Sequence, residues 1–417
     1  MSEAAASLSA NARAPKSDAF LQLGYTCRKD IDLGWVLGLP PAKSKRYRNF
    51  RNALIVAVVL AAWADRERWL AYSRNNNDYT RWRFYCGSLS SHRYMRRAVS
   101  ELLDAGQIHH RQTWPSPAAR FRSTLRARER MLEKVPLSGL SDLMPVSMEP
   151  IRVKNSNGQL VRYSEISLTM EMRQDLSEQN ELLSGLDLKL RSPRWAPTPQ
   201  GLLAKGERYL NPLQLSLYRV FNQSWSLGGR FFGIWPQGLP SVDRALLTMD
   251  GQAVVERDYR HLHPTLIAAL AGVDLGETDP YEIAGYCRRQ VKTAFLILVN
   301  AGTERSAICA LQNKLVAMRH DQPGRQAKNL IDAIKARHPK FDWAWGTGLG
   351  LKLQNVDAQM CANVQRLMRR QGHTVLSIHD SFIALAATED LLSSIMDEVL
   401  FYTTSSLARD GLPEMPS

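Results

Sequence analysis

Apolar positions along this chain recur with two periods, and each period marks a different kind of element. Asn52 to Ala64 is nearly continuous in apolar residues and reads as a buried helix. Trp69 to Tyr79 reads as extended, interrupted by the turn-like Asn75-Asn76-Asn77-Asp78. Within Ser90 to Ala105, Tyr94, Met95, Ala98, Val99, Leu102 and Leu103 fall at helical spacing. Ser90 or Ser91 can cap that helix, and Gly106 stops it. Gln107 to Thr113 and Ala119 to Arg126 read as strands on either side of a turn at Pro115 and Pro117. Ile151 to Tyr163 reads as a hairpin around Asn157-Gly158. Ser192 to Gly201, with Pro193, Pro197 and Pro199, reads as a linker. Val375 to Ile378 and Phe382 to Leu385 are β-branched and aliphatic runs flanking His379-Asp380, which puts that pair at the bend of a hairpin. Leu391 to Leu407 is an amphipathic helix suited to packing on a sheet.

These elements imply an α+β protein with two main units. Residues 1–18, rich in Ala and Ser, are expected to be disordered. Residues 19–135 form a first, mainly helical unit, 136–204 a connecting region and linker, and 205–417 a second unit. A length of 417 residues allows substantial cores in both.

Charge changes the picture more than composition does. A net charge of +14 points either to solubility alone or to a polyanionic partner, of which nucleic acid is the usual case. The basic residues of the first unit cluster after the second helix: Arg93, Arg96, Arg97, Arg111, Arg120, Arg122, Arg126, Arg128 and Arg130. Helix, strand, turn, strand is the order of a winged helix. The first unit is therefore expected to be a basic, winged-helix-like DNA-binding domain, against the plainer reading of a solvated basic face. The five cysteines are scattered and never in C-x-x-C spacing, which argues against a zinc site or disulfide framework and suits a reducing, cytoplasmic location. The longest apolar run is too short to span a bilayer, so no membrane association is expected.

The second unit carries the candidate chemistry. Ala253 to Glu256 reads as a strand running into Asp258-Tyr259, followed by a helix through Leu266 to Leu270. Two carboxylates far apart in sequence, Asp258 at a strand end and Asp380 at a hairpin bend, could meet on one sheet. Nucleotidyl transfer needs such a pair to hold two divalent metals about 3.5–4 Å apart. Both carboxylates would repel when ionised without metal, so Mg²⁺ is the expected cofactor, with Mn²⁺ as a substitute. Arg288 and Lys292 are four apart and share a helix face, where they could receive a pyrophosphate. Phe295 and Leu296 follow on an adjoining surface that could stack a base. Asp279-Pro280-Tyr281-Glu282 reads as the start of that helix. Trp343 and Trp345 read as core residues.

In order and content these blocks resemble the family-A DNA polymerases and their relatives, the phage-type single-subunit RNA polymerases. Asp258-Tyr259 is similar to their motif A, Arg288 and Lys292 to motif B, and His379-Asp380 to motif C, with Ser381 following as in the RNA polymerases. Gly229-Arg230, Gln237 to Pro240 and Arg244 resemble the segments that precede motif A in the DNA polymerases, and Gln354 the helical Gln ahead of motif C. The resemblance covers roughly residues 205 to 410. It implies a right-hand palm with reduced fingers, since the intervals between motifs are short. It implies Asp258 and Asp380 as metal-binding catalytic residues. Arg288, Lys292, Tyr259, His263, Phe295 and Asn300 would then surround the nucleoside triphosphate, and Arg230, Gln237, Arg244, Gln354 and His379 the primer and template.

The chain departs from the pattern in two places. His263 stands where the DNA polymerases carry a Glu five residues after the motif-A Asp, the residue that excludes a ribose 2′-OH. Asn300 and Ala301 stand where motif B ends in Tyr-Gly. The expected function is a DNA-directed DNA polymerase, with a fused DNA-binding module that suits plasmid or phage replication. The alternatives are a single-subunit RNA polymerase or primase-like enzyme, and a non-catalytic DNA-binding replication initiator with a degenerate palm.

Overall fold

The computed structural model describes residues 19–113, 122–317 and 323–413. The expected disordered stretch 1–18, the Pro115–Pro117 turn and Arg120 lie outside them. The chain divides into two compact units, residues 1–149 with 194–213, and residues 150–193 with 214–417. Both mix helix and strand. Among the described residues, no helix is long and apolar enough to cross a membrane.

This division corrects the expected connector at 136–204. Its Pro-rich part is folded into the first unit: Ala196–Pro197 pairs with Leu203–Lys205, and Trp195 and Leu202 are buried. Proline tolerates such an edge position because it has no N–H to leave unpaired.

In the first unit, α1 (Lys45–Ala64) begins earlier than the apolar run, because Tyr47 and Phe50 extend its buried face and Ser44 Oγ caps it at Tyr47 N, 3.2 Å. Strand β1 (Leu70–Tyr72) follows, then α2 (Asn76–Cys86). The asparagine run is thus a helix start and not a turn: Asn75 Oδ1 accepts from Asn77 N at 3.0 Å, the usual N-cap role of Asn. Helix α3 (His92–Asp104) is capped by Ser91, whose Oγ accepts from Tyr94 N at 3.3 Å. It buries Met95, Ala98, Val99 and Leu102 in a core shared with Leu54 and Val58 of α1. Strands β2 (Ile108–Arg111) and β3 (Ser123–Ala127) complete the run. The sheet order is Ala19–Phe20, β1, β3, β2, with the first pair parallel and the others antiparallel.

Arg51 of α1 is fully buried at the centre of this unit. Its Nη2 donates to both Asp32 oxygens at 3.0 and 3.2 Å, and its Nη1 to Glu101 Oε2 at 2.9 Å and Pro40 O at 2.7 Å. Gly34 lies against the guanidinium, where a Cβ would stand 2.1 Å from Nε. Arg51→Ala removes the charge that joins Asp32 to Glu101, leaving Glu101 with Arg97 and Tyr47, and is expected to destabilise the fold by about 1–3 kcal/mol in urea titrations. A loss under about 1 kcal/mol would show that the two carboxylates relax into solvent.

Among its described residues the second unit holds two sheets. β4 (Ile151–Lys154) and β5 (Leu160–Val161) form the hairpin expected around Asn157-Gly158. Helix α4 (Ser167–Ser184) and β6 (Leu188–Leu190) follow. β7 (Leu215–Asn222) and β8 (Ser224–Ile234) join the hairpin in the order β8-β7-β4-β5. The second sheet adds β9 (Leu247–Met249), β10 (Gln252–Asp258), β11 (Leu376–Ile378) and β12 (Ser381–Leu385). It is antiparallel throughout, in the order β11-β12-β10-β9-β6. Phe382, Ile383 and Ala384 are all buried, so β12 is covered on both faces, as a continuous apolar run requires.

The helices are α5 (Leu262–Leu270), α6 (Arg288–Asn300), α7 (Glu304–Ala317), α8 (Pro323–Arg337), α9 (Gly350–Arg370) and α10 (Glu389–Asp410). α9 packs on β8, and α10 on α9, α5 and the five-stranded sheet. Residues 279–282 do not begin α6, which starts at Arg288 after a run of turns. Trp345 is buried as expected, whereas Trp343 is 46% exposed.

Candidate active site

Asp258 and Asp380 meet at one end of the five-stranded sheet. The strand β10 ends on Asp258, which pairs in register with Ser381 of β12. Ile378 and Ser381 close the hairpin around His379-Asp380, and Tyr259 N donates to Asp380 O at 3.4 Å. His379 takes a positive φ of 62°, a conformation costly for a side chain and kept only where surroundings hold it. Phe232 supplies part of that hold, edge-on to the imidazole at 5.5 Å. Burial and the Arg230 charge together push the His379 pKa below its ordinary value.

The two carboxylates act on each other. Asp258 is exposed as a residue, yet burial of its carboxyl and then the Asp380 charge push it up to about 6. Solvent reaching the group screens part of this repulsion. Lys292 and Arg244 oppose it and Glu256 adds to it. The folded pKa lies above the unfolded value of about 4, so the folded state holds this proton more tightly. The stability that protonation confers is complete below about pH 4 and is lost as pH rises through about 6. In chelator, Asp258→Asn is therefore expected to raise the melting temperature at pH 8 and to leave it unchanged near pH 4. An equal difference at both pH values would show that the residue's charge is not what strains the site.

Behind Asp258 the sheet is braced. Arg244 forks onto Glu256 through Nε (2.9 Å) and Nη2 (2.6 Å), and its Nη1 donates to Leu239 O at 2.8 Å. Ser381 Oγ donates to the same Glu256 at 2.8 Å. Gln237 accepts from Gly233 N at 3.0 Å and donates to Phe231 O and Ser377 O at 3.1 and 3.0 Å, tying β8 to β11. Arg244 and Gln237, expected to contact primer or template, are thus engaged in holding strands together.

On α6, Arg288 and Lys292 are both exposed on one face. Arg288 pairs with Asp279, lies over the Tyr281 ring at 5.5 Å and approaches His261 Nδ1 at 3.5 Å. Asp279, read from sequence as structural, is the partner that aims this arginine. Asn300, at the far end of α6, is exposed and donates back to Leu296 O at 2.7 Å.

Two expected nucleotide contacts are corrected. Phe295 is fully buried among Tyr281, His338 and Trp345, with ring centroids 5.5, 5.8 and 5.2 Å away, so it is core and not a stacking platform. Tyr259 is also buried; its ring meets Phe382 and its hydroxyl donates to Met396 O at 3.0 Å, anchoring α10.

A third carboxylate, Asp357 on α9, organises residues that sequence reasoning placed separately. Its side chain is 1% exposed. Arg230 of β8 forks onto it, with Nε 3.2 and 3.1 Å from the two oxygens, and His263 Nε2 lies 3.3 Å from Oδ2. Gly228 and Gly229, with φ of 72° and 88°, let β8 bend just ahead of Arg230. Asn355, two residues before Asp357, donates to Trp225 O and Gly228 O at 2.8 and 3.2 Å and fixes that bend. The signal for Asp357 is that it is the one acid in a helix whose other charged residues, Lys352, Arg366, Arg369 and Arg370, are all basic. Gln354 is half-buried one turn away on α9.

Among the described residues, no group of three or more His, Cys, Asp or Glu side chains is set to hold a metal ion. Asp258 and Asp380 stand as a pair, and two mutually repelling carboxylates at a sheet end suit a hard divalent cation that keeps most of its own water. In the first unit, Arg93 and Arg96 are exposed on α3. Arg97 instead pairs with Glu101 at 2.7 Å and stacks over Tyr47 at 4.3 Å. Arg111 lies over Trp69 at 4.0 Å, and Arg122 is exposed. No protein-family model matches the chain, and no curated protein is detectably similar to it.

Proposed function

We propose that this protein is a template-directed nucleotidyltransferase, most closely a DNA-directed DNA polymerase with a palm-like catalytic sheet. The observation that carries the reading is the convergence of Asp258 and Asp380 across one register position, with Lys292 close enough to act on Asp258. Asp258 and Asp380 would hold Mg²⁺ or Mn²⁺. When bound, the ions supply activation of a 3′-hydroxyl and neutralisation of a triphosphate. The chain's own part is to position and to balance charge. Lys292 and Arg288 present cations one helical turn apart toward a departing pyrophosphate. Asp279 orients Arg288, and the Arg244–Glu256–Ser381 brace keeps β10 and β12 in register beneath the carboxylates.

The first unit supports a nucleic-acid partner. What supports it is the order α1-β1-α2-α3-β2-β3, with β3 between β1 and β2, which we read as winged-helix-like, and the exposed Arg93 and Arg96 on α3. The deciding experiment is primer extension on defined templates with dNTPs or NTPs and Mg²⁺. No incorporation under any combination would overturn the reading.

His263 bears on sugar choice. With its imidazole held by Asp357, it is expected to give weaker dNTP-over-NTP discrimination than a Glu would, by about 1–3 kcal/mol, the scale of one contact in a specificity pocket. The ratio of kcat/KM for dATP and ATP, in wild type and His263→Ala, measures it. An unchanged ratio in the variant places His263 away from the sugar.

A further inference from the structure

Asp357 has no assigned part in the two-carboxylate arrangement. At 1% exposure it cannot itself reach a substrate or a cation. Burying a carboxylate is costly unless it is paired, and this one is paired twice, to Arg230 of β8 and His263 of α5. Both partners are less buried than Asp357, with side chains 24% and 11% exposed.

The position of Arg230 gives the pairing its meaning. Alternate residues of a strand share a face. Phe232, two residues on, packs against His379, so Arg230 lies on the face that meets the His379-Asp380 turn. Asp380 is among the charges that act on Arg230, and Arg230 is among those that act on His379. A guanidinium beside a carboxylate closes into a two-point ion pair when its side chain is at liberty to do so. Closed onto Asp380, it would neutralise half of the acidic pair. The fork to Asp357 instead occupies Nε and Nη2.

We propose that Asp357 is a positioning residue: it tethers the Arg230 guanidinium away from Asp380, so that Asp258 and Asp380 stay open to a divalent cation. The inference rests on the two-carboxylate reading above. It differs from a plain structural ion pair in one consequence. If Asp357 only supports the fold, removing its charge cannot be repaired by also removing that of Arg230. If it restrains Arg230, it can.

The test is Mn²⁺ binding to the full chain, followed by titration calorimetry and by the electron paramagnetic resonance of free Mn²⁺. Asp357→Asn is expected to bind Mn²⁺ about tenfold more weakly or worse, the scale on which a newly paired opposite charge shifts a carboxylate. Arg230→Gln is expected to bind at least as tightly as wild type. The double variant is expected to return to the Arg230→Gln value. Wild-type affinity in Asp357→Asn, or a double variant as weak as Asp357→Asn, would overturn the proposal. Should Asp357→Asn not fold, Arg230→Lys carries the test. It keeps the charge but cannot fork, and is expected to weaken Mn²⁺ binding in the same direction; wild-type affinity there also overturns the proposal. Asp258→Asn separates the two levels. Wild-type affinity in Asp258→Asn, or no binding by wild type, removes the two-carboxylate reading and the proposal with it. Loss in Asp258→Asn with no change in Asp357→Asn removes the proposal alone.

Discussion

Asp258→Ala and Asp380→Ala are each expected to lower nucleotide incorporation on a primed template by about a thousandfold or more, the upper end of what losing one preorganised electrostatic group costs. The two side chains enter from different strands, β10 and the β11–β12 turn, so neither can stand in for the other. The fold should survive both changes. Asp258 is exposed and strains the unliganded site, and Asp380 lies at a hairpin bend beyond the last paired residues. Thermal melts in chelator should therefore show variants at least as stable as wild type. The same variants should keep their affinity for duplex DNA, because the exposed arginines of α3 belong to the other unit. Incorporation at wild-type rates by either variant would remove the two-carboxylate mechanism. Activity lost together with the melting transition would mean that the carboxylates support the fold instead.

The parts of this arrangement that were legible in the sequence are those set by local pattern. β-Branched runs flanking His379-Asp380 make a hairpin because each run is short, apolar and bounded by polar residues. Helix α3 was readable from its period and its Ser cap. What local pattern could not give was direction and distant partnership. Phe295 sits three residues past Lys292, and spacing alone does not say whether a ring on that helix meets solvent or core. The aromatic cage of Tyr281, His338 and Trp345 decides it, and those residues come from two other segments, the turns before α6 and the 338–345 stretch after α8. Asp357 reaches Arg230 across 127 residues, and nothing near either residue names the other. The asparagine run at 75–78 has the composition of a turn, and the same side-chain oxygen that closes a turn caps a helix. The Pro-rich stretch at 192–201 looked like a linker because proline signals a break in helix, but a sheet edge accepts it equally well.

Duplex DNA binding by the full chain is expected to fall by about two orders of magnitude or more as salt rises from about 50 to about 200 mM, because phosphate contacts release condensed counterions. The residues that set this slope follow from burial, not from charge count. Arg93 and Arg96 are exposed on α3, and Arg81 and Arg83 flank the 44% exposed Trp82 on α2. Arg97 lies one residue from Arg96 in sequence and has a different task, pairing with Glu101 and covering Tyr47 beside the buried Arg51. Replacing Arg93 and Arg96 with Ala should therefore reduce the slope of log K against log salt by about 2, at close to 0.9 per phosphate contact, with little change in melting temperature. Replacing Arg97 should do the reverse, lowering the melting temperature while leaving the slope near that of wild type. If the Arg93 and Arg96 variant keeps the full slope, α3 does not lie along the phosphate backbone. If wild-type binding shows no salt dependence, neither unit lies along the phosphate backbone and the basic face of the first unit is a solvated surface.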